Sequence, residues 1–245
     1  MTVEVARFAA ARAAVLDRIA AAAARAGRDP AEVTLVAVSK TVAAPRVQAA
    51  IDAGLDVLGE NRVQEAAEKI PATSGGAWHL VGPLQSNKAG RAVELFATIQ
   101  SVDGLALAQR LDRLAGERLA GRPLKVLLQV NVADDPSKAG FTPAGVTADL
   151  GPILALPNLR VEGLMTIGPL VASADAARPT FVALRRLSAA LREGHPALGP
   201  ALSMGMTDDF EVAVEEGATI VRIGRALFGE RPHDHAHGPG ADHEH

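Results

Sequence analysis

Short apolar runs rich in β-branched residues alternate with alanine-rich amphipathic stretches along almost the whole chain, and this alternation restricts the fold more than any other feature. The order is typical of βα units built around a parallel sheet. About eight such units are also the number that closes a (β/α)8 barrel. The predicted strands are residues 33–38, 55–58, 78–81, 98–102, 125–130, 160–166, 201–204 and 219–223.

The length of 245 residues suits one barrel of this kind. Residues 3–26 carry apolar side chains at helical spacing and precede the first strand, so they predict an extra N-terminal helix that ends near Gly27. We therefore predict an α/β fold, a single TIM-type (β/α)8 barrel over residues 1–231. An open doubly wound sheet is the alternative. Residues 232–245 are polar and rich in histidine, and are predicted to be a disordered tail.

Composition excludes several classes of protein. The net charge is −3 and no run of Lys or Arg accumulates on a predicted face, so no nucleic-acid partner is expected. The chain contains no cysteine, which removes disulfides, thiolate metal sites and thiol nucleophiles. The first helix carries charges within its apolar pattern, so neither a signal peptide nor a membrane span is predicted, and a cytoplasmic location is expected.

Lys40 directly follows the apolar run of the first predicted strand. The carboxyl ends of parallel barrel strands lie on the face where ligands bind. Partial burial there disfavours the ammonium form of a lysine and leaves an amine that can condense with an aldehyde. A solvated lysine at a strand end explains the same position equally simply.

Ser203 and Gly224 end the last two predicted strands. Gly205 permits a close backbone approach, and the sequence from Gly224 leads into a short helix beginning at Arg225. TIM barrels often bind phosphate at these two strands, so a phosphate site is one interpretation and ordinary turn chemistry is the other.

Five blocks of the sequence together resemble the pyridoxal 5′-phosphate (PLP) homeostasis proteins, which are related to the alanine-racemase-type barrel of fold-type III PLP enzymes. The blocks are LVAVSKTVAAPRVQAAIDAGLDVLGENRVQEAAEK, WHLVGPLQSNK, LQVNVADDPSKAGF, LRVEGLMTIG and LSMGMTDDFEVAVEEGATIVRIGRALFG.

The resemblance implies residue roles that the spacing does not show. It implies PLP as cofactor, Lys40 as the Schiff-base lysine, and Asn61 near the cofactor. It implies that Ser203 and the backbone of Gly224 and Arg225 surround the phosphate, with Arg222 facing the pyridine nitrogen or the phosphate edge. Position 225 is often a small residue in that family, so Arg225 is expected to contribute its main chain.

The function implied is intracellular PLP homeostasis, meaning storage or delivery of PLP and an effect on amino- and keto-acid balance, by a monomer whose partners are PLP-dependent apoenzymes. Two alternatives remain from the residues. One is a low-efficiency PLP-dependent amino-acid racemase with Lys40 as one base, although the chain contains no tyrosine to act as the second. The other is a barrel that binds a different phosphate ester without PLP.

Three further features are assigned no catalytic role. His79 lies within a predicted strand and is interpreted as a structural histidine. Lys138 and the loop with Gln85, Asn87 and Lys88 are minor candidates on the binding face. The histidines of the tail lack fixed geometry, so no metal site is predicted.

Overall fold

The computed structural model describes residues 2–133, 135, 138–168 and 173–229. Its eight parallel strands form one closed barrel in chain order, and β1 pairs with β8 to complete the ring. The predicted (β/α)8 barrel is therefore confirmed, and the open sheet is wrong. The strands are β1 Thr34–Val38, β2 Val57–Glu60, β3 Ala77–Leu80, β4 Thr98–Val102, β5 Leu124–Gln129, β6 Leu159–Met165, β7 Ala201–Ser203 and β8 Ile220–Ile223.

Helices follow the strands and form the outer layer. One helix precedes the barrel, as the periodicity of its sequence predicts. The helices are α1 Val3–Arg25, α2 Ala44–Asp52, α3 Val63–Lys69, α4 Ala89–Leu95, α5 Leu105–Arg118, α6 Pro143–Leu154, α7 Arg178–Gly194, α8 Phe210–Glu215 and α9 Arg225–Phe228.

Helix α1 belongs to the outer layer and lies close to the strands β1 and β8, whose pairing closes the barrel. Thr2 caps its first turn by accepting a hydrogen bond from the Val5 N–H, and Gly27 follows its end with a φ of 64°. Its apolar face buries Phe8, and α1 packs on α2, α8 and α9. The rings of Phe8 and Phe228 meet edge to face with centroids 5.4 Å apart. This contact ties the extra helix to the short helix after β8.

The connected apolar core lies between the sheet and the helices. It includes one outward-facing residue from each of several strands, among them Ala37, Leu58, Leu80 and Ile99. Val36, on the other face of β1, is fully buried but lies outside this cluster, in the interior of the barrel. Period-two alternation, interrupted by irregularities in β4 and between β5 and β6, therefore separates an apolar outer layer from the barrel lumen.

Strand β2 begins two residues later than its apolar run predicts. Gly54 has a φ of 84°, and the Leu55 N–H donates to the Ala50 carbonyl at 3.1 Å. Leu55 therefore terminates α2, because its hydrogen bond caps the helix and its buried side chain belongs to the cap. The strand instead extends to Glu60, which the sequence places in a turn.

The predicted tail, residues 232–245, lies outside the described residues. Among the helices that the structure describes, none combines the length and the apolar character needed to cross a bilayer.

Candidate functional site

Lys40, Asn61 and Gly224 lie beside one another where β1, β2 and β8 end. Ala37 pairs with Ile223 on one side of β1, and Val38 pairs with Gly59 on the other. Extending this register by two residues brings Lys40 level with Asn61. A methyl group added at Gly224 would lie 3.4 Å from the Val38 carbonyl oxygen, so Gly224 borders the opposite side of the same strand end.

The side chain of Lys40 belongs to the interior side of β1. A Cβ built on Gly59 would come within 2.9 Å of Val36 and 3.1 Å of Val38, so these three positions share one face of the sheet. The Ser39 N–H donates to the Gly59 carbonyl and continues the ladder. Alternation then directs Ser39 toward the helices and Lys40 toward the barrel mouth, where Lys40 is half-buried.

A chain of hydrogen bonds crosses the barrel and includes two of the predicted site residues. The Arg222 Nη1 donates to the Ser203 hydroxyl at 2.7 Å, and this hydroxyl donates to Gln100 Oε1 at 2.6 Å. Gln100 Nε2 lies 2.8 Å from His79 Nδ1. The Arg222 Nη2 donates to the Thr166 carbonyl at 2.8 Å. A connected polar network therefore runs through the lumen, beside apolar interior residues such as Val36.

Arg222 is a buried cation whose hydrogen bonds go to neutral oxygen atoms. Burial lowers its pKa to about 10, and the nearby Asp209 opposes that shift. The guanidinium remains protonated at neutral pH, so it donates hydrogen bonds and accepts none. Burial raises the pKa of the Asp209 carboxyl, which accepts the Met206 N–H at 2.6 Å. Such a cation suits a ligand that brings a phosphate or a ring-nitrogen acceptor.

His79 supports this network in its neutral form. Burial, reinforced by the positive charge of Lys125, lowers its pKa to about 4, well below the ordinary 6.5. The lowered pKa fits the interpretation of His79 as a structural residue. Its contact with Gln100 nevertheless links it to Ser203 through one side chain.

We expect acid to destabilise the protein through His79. Its folded-state pKa lies below its unfolded value, so the unfolded chain binds the extra proton and stability falls as the pH drops from about 6.5 to about 4. One pKa unit corresponds to about 1.4 kcal/mol, so the loss amounts to about 3 kcal/mol by pH 4. Denaturant titrations across this range measure it. In the variant His79→Asn this part of the pH dependence should vanish; an identical slope in both proteins would contradict the assignment.

The two turns after β7 and β8, where the sequence predicts a phosphate site, each contain a glycine and lie side by side. Gly205 has a φ of 91°, and a Cβ there would lie 2.5 Å from the Ala213 Cβ, so only glycine fits this turn. Gly224 precedes the first turn of α9, and its carbonyl accepts the Leu227 N–H at 3.0 Å and the Phe228 N–H at 2.9 Å. The first two N–H groups of the helix, those of Arg225 and Ala226, have no such bond among the residues described. The two turns are adjacent because the Arg222 N–H donates to the Gly205 carbonyl at 3.0 Å.

The side chain of Arg225 is engaged with Asp208. These two residues form an ion pair between the turn after β7 and the start of α9, and both side chains are substantially exposed. The expected role of Arg225 through its main chain is compatible with this arrangement, since its side chain has a partner of its own.

The minor candidates lie around the rim. Lys138 Nζ donates to the Gly168 carbonyl at 2.8 Å and lies 3.8 Å from an Asp135 carboxylate oxygen, which gives it a local structural role. Gln85 and Asn87 are exposed, and Lys88 is half-buried. None of these has a described bond to Ser203 or Arg222.

Sequence reasoning misses Gln100 and Thr166, which complete the network around Ser203 and Arg222. Gln100 is a polar residue at the middle of β4 and is fully buried, and Thr166 follows β6. A glutamine at the centre of a predicted strand is the one sign in the sequence that could have indicated this position, because a buried amide needs partners.

Comparison with known proteins gives consistent matches over nearly the whole chain. The model of the alanine racemase N-terminal domain family matches residues 11–232. A pyridoxal phosphate homeostasis protein of Pseudomonas aeruginosa is 47% identical over 226 residues, which cover 89% of this chain and 94% of that protein. The protein of the same description from Escherichia coli K12 is 42% identical with the same coverage.

Solved structures of related proteins also match most of the chain. PipY of Synechococcus elongatus with PLP bound is 43% identical, has a TM-score of 0.77, and is covered over 100% of its length by 88% of this chain. An alanine racemase of Clostridium difficile is 16% identical with a TM-score of 0.67, and the match covers 89% of this chain and 56% of that one. The second likeness shows the shared barrel fold.

Proposed function

Because the chain belongs to the pyridoxal phosphate homeostasis protein family, within the alanine racemase N-terminal domain family, we propose that it binds PLP as a Schiff base on Lys40 and takes part in PLP storage and delivery. The proposal rests mainly on one observation: a lysine amine and a group of hydrogen-bond donors suited to an anion lie at the ends of three adjacent strands. Lys40 follows β1, while Arg222 on β8 donates to Ser203 at the end of β7. The site lies within residues 1–231.

The residues fit PLP group by group. Lys40 would supply the amine for the aldehyde, and Asn61, which directly follows β2, would border it. Ser203 and the backbone of Gly224 and Arg225 would hold the phosphate, with the tight turn at Gly205 allowing its close approach. The buried cation of Arg222 would face the pyridine nitrogen or the phosphate edge, either of which can accept a hydrogen bond from it.

Arg222 also favours binding over turnover. When bound, PLP supplies an electron sink for carbanions, and this property depends on protonation of its ring nitrogen. The Arg222 guanidinium cannot accept a proton and raises the cost of a second positive charge beside it. The sequence contains no tyrosine that could serve as a second base beside Lys40. We therefore propose a carrier of PLP with no defined turnover.

The proposed partners are PLP-dependent apoenzymes that accept the cofactor, and the proposed form is a cytoplasmic monomer. The partly exposed rim supports transfer, since Lys40, Asn61 and Gly224 are only half-buried and Thr41 is exposed. Size-exclusion chromatography with light scattering tests the monomer. Activation of a PLP-dependent apoenzyme by the loaded protein tests delivery.

Borohydride reduction followed by peptide mass mapping tests the cofactor and its attachment together. An absorbance band that shifts on reduction, with one pyridoxyl group on the peptide that contains Lys40, is the expected result. Failure to form a reducible adduct after addition of PLP would overturn the proposal and favour a barrel for another phosphate ester.

We expect Ser203→Ala to weaken PLP retention by about 1 to 3 kcal/mol, the usual range when a hydrogen bond to a charged group is lost. The variant also leaves Gln100 Oε1 and one Arg222 N–H without their present partner. Equilibrium titration with PLP measures the change. Thr147→Ala is the matched control, because its hydroxyl bonds only within α6; equal affinity of Ser203→Ala and wild type would remove Ser203 from the phosphate site.

A further inference from the structure

A buried ionic cluster lies behind Lys40, on the helix side of the sheet. We call Ser39, Glu60, Glu65 and Lys69 the Lys69 cluster. Lys69 Nζ donates to the Ser39 carbonyl at 2.6 Å, to Glu60 Oε1 at 2.7 Å and to Glu65 Oε1 at 2.5 Å. These contacts use all three protons of the ammonium. The Ser39 hydroxyl donates to the same Glu60 oxygen at 2.7 Å, which closes the cluster.

The cluster holds a backbone conformation that is unfavourable by itself. Thr41, which follows Lys40, has a φ of 65°, in the left-handed region that β-branched residues rarely adopt. Its N–H donates to Glu65 Oε1 at 2.5 Å, and its hydroxyl donates to the Lys40 carbonyl at 2.6 Å. The main chain is therefore fixed on both sides of Lys40, at the Ser39 carbonyl and at the Thr41 N–H.

The cluster also reaches the second residue that borders the cofactor. Glu60 is the last residue of β2 and directly precedes Asn61. Its carboxylate accepts from Lys69 and Ser39 through one oxygen, which joins the end of β2 to the end of β1. One ammonium thus fixes the two strand ends that carry Lys40 and Asn61.

Stability alone does not account for this arrangement. Glu60 is fully buried and Lys69 nearly so, and the second Glu60 oxygen, Oε2, has no hydrogen-bond partner among the residues described. Two carboxylates also face a single ammonium. Apolar side chains of similar volume commonly stabilise a fold as well as such a buried charge cluster does. A cluster with an orphaned oxygen is better explained by the geometry that it imposes on the turn.

We propose that the Lys69 cluster is a positioning device that aims Lys40 for covalent attachment of PLP, with Lys69 and Glu65 as positioning residues. The inference rests on the proposed function. Attachment joins the Lys40 nitrogen to the aldehyde carbon and releases the carbonyl oxygen as water, so it depends on the position of the amine. Binding of the phosphate and ring depends instead on the turns after β7 and β8, which the cluster does not touch.

Two ligands separate these effects. PLP reports covalent attachment through its borohydride-reducible adduct on Lys40. Pyridoxine 5′-phosphate has an alcohol in place of the aldehyde, so its affinity reports non-covalent binding alone. We expect Lys69→Met and Glu65→Ala to slow attachment about tenfold or more, since small misplacements of a reacting group have effects of this order. Their affinity for pyridoxine 5′-phosphate should match that of the wild type.

Glu65→Gln is the conservative control, because its amide oxygen can still accept from Thr41 and Lys69. It should keep most of the wild-type rate while Glu65→Ala loses it. If Lys69→Met fails to fold, as judged by circular dichroism, the Glu65 pair decides, since Glu65 is partly exposed.

Three results are decisive. An unchanged attachment rate in Glu65→Ala would overturn the positioning role, and so would a parallel loss of affinity for both ligands, which would mark the cluster as structural support only. A wild-type protein that binds neither ligand and forms no adduct would refute the proposed function itself. This case differs from the other two, because in those the wild type binds both ligands and only the variants are affected.

Discussion

Replacing Lys40 with alanine is expected to abolish the reducible PLP adduct completely while leaving the fold intact. The covalent bond requires an amine at this position, and Lys40 is the only lysine in residues 34–40, which form β1 and the two residues after it. The half-buried Lys40 side chain lies at the barrel mouth, away from the apolar layer that Ala37 and Leu58 share, so its removal should cost little stability. Mass mapping after borohydride treatment measures the adduct, and a thermal melt measures the fold.

Lys125→Ala is the control, because Lys125 is an exposed lysine near the opposite, amino-terminal end of the barrel strands. It should keep a full adduct. A Lys40→Ala protein that still carries pyridoxyl mass on the same peptide would contradict the assignment, whereas pyridoxyl mass on another lysine would move the attachment site elsewhere.

Replacing Arg222 with leucine is expected to have the second largest effect, a loss of PLP affinity of tenfold to a hundredfold, or about 1.5 to 3 kcal/mol. The substitution removes the buried cation and leaves Ser203 and the Thr166 carbonyl without their donor. Binding should therefore weaken both through lost charge and through a disordered Ser203 hydroxyl. Equilibrium titration with pyridoxine 5′-phosphate isolates this effect from covalent attachment.

The matched control is Arg160→Leu, which removes an arginine whose side chain is 65% exposed. Its affinity should equal that of the wild type. If Arg222→Leu binds as tightly as the control, the guanidinium serves only the packing of the barrel interior, and the phosphate and ring are held by the turns alone.

The alternation of strands and helices predicts the barrel because each element depends mainly on local sequence. Lys40, Ser203 and Gly224 are predictable for the same reason: each follows a short apolar run, and the topology of a parallel barrel brings all strand ends to one face. The predicted start of β2 is wrong because a helix cap takes up the first residues of the apolar run. Leu55 has a strand-like sequence but ends α2, because its N–H bonds to the Ala50 carbonyl.

The partners of the site residues cannot be derived from the sequence in the same way. Gln100 and Ser203 meet across the barrel, 103 positions apart in the chain. Likewise, the ammonium of Lys69 lies on a helix whose periodicity predicts only an amphipathic surface, yet it bonds to the Ser39 carbonyl. Such contacts depend on closure of the ring and on side-chain reach, neither of which a local pattern contains.

The separation of an apolar outer layer from a polar lumen has a consequence for how this molecule can change over evolutionary time. We expect substitutions at Gln100, Thr166 or Arg222 to alter ligand binding without removing side chains from the layer that includes Phe181 and Leu184. The packing of the outer layer can therefore stay the same while residues of the lumen are substituted. A barrel of this design can change its small-molecule ligand through a series of folded intermediates. Each substitution in the lumen affects ligand binding more than it affects the stability of the fold.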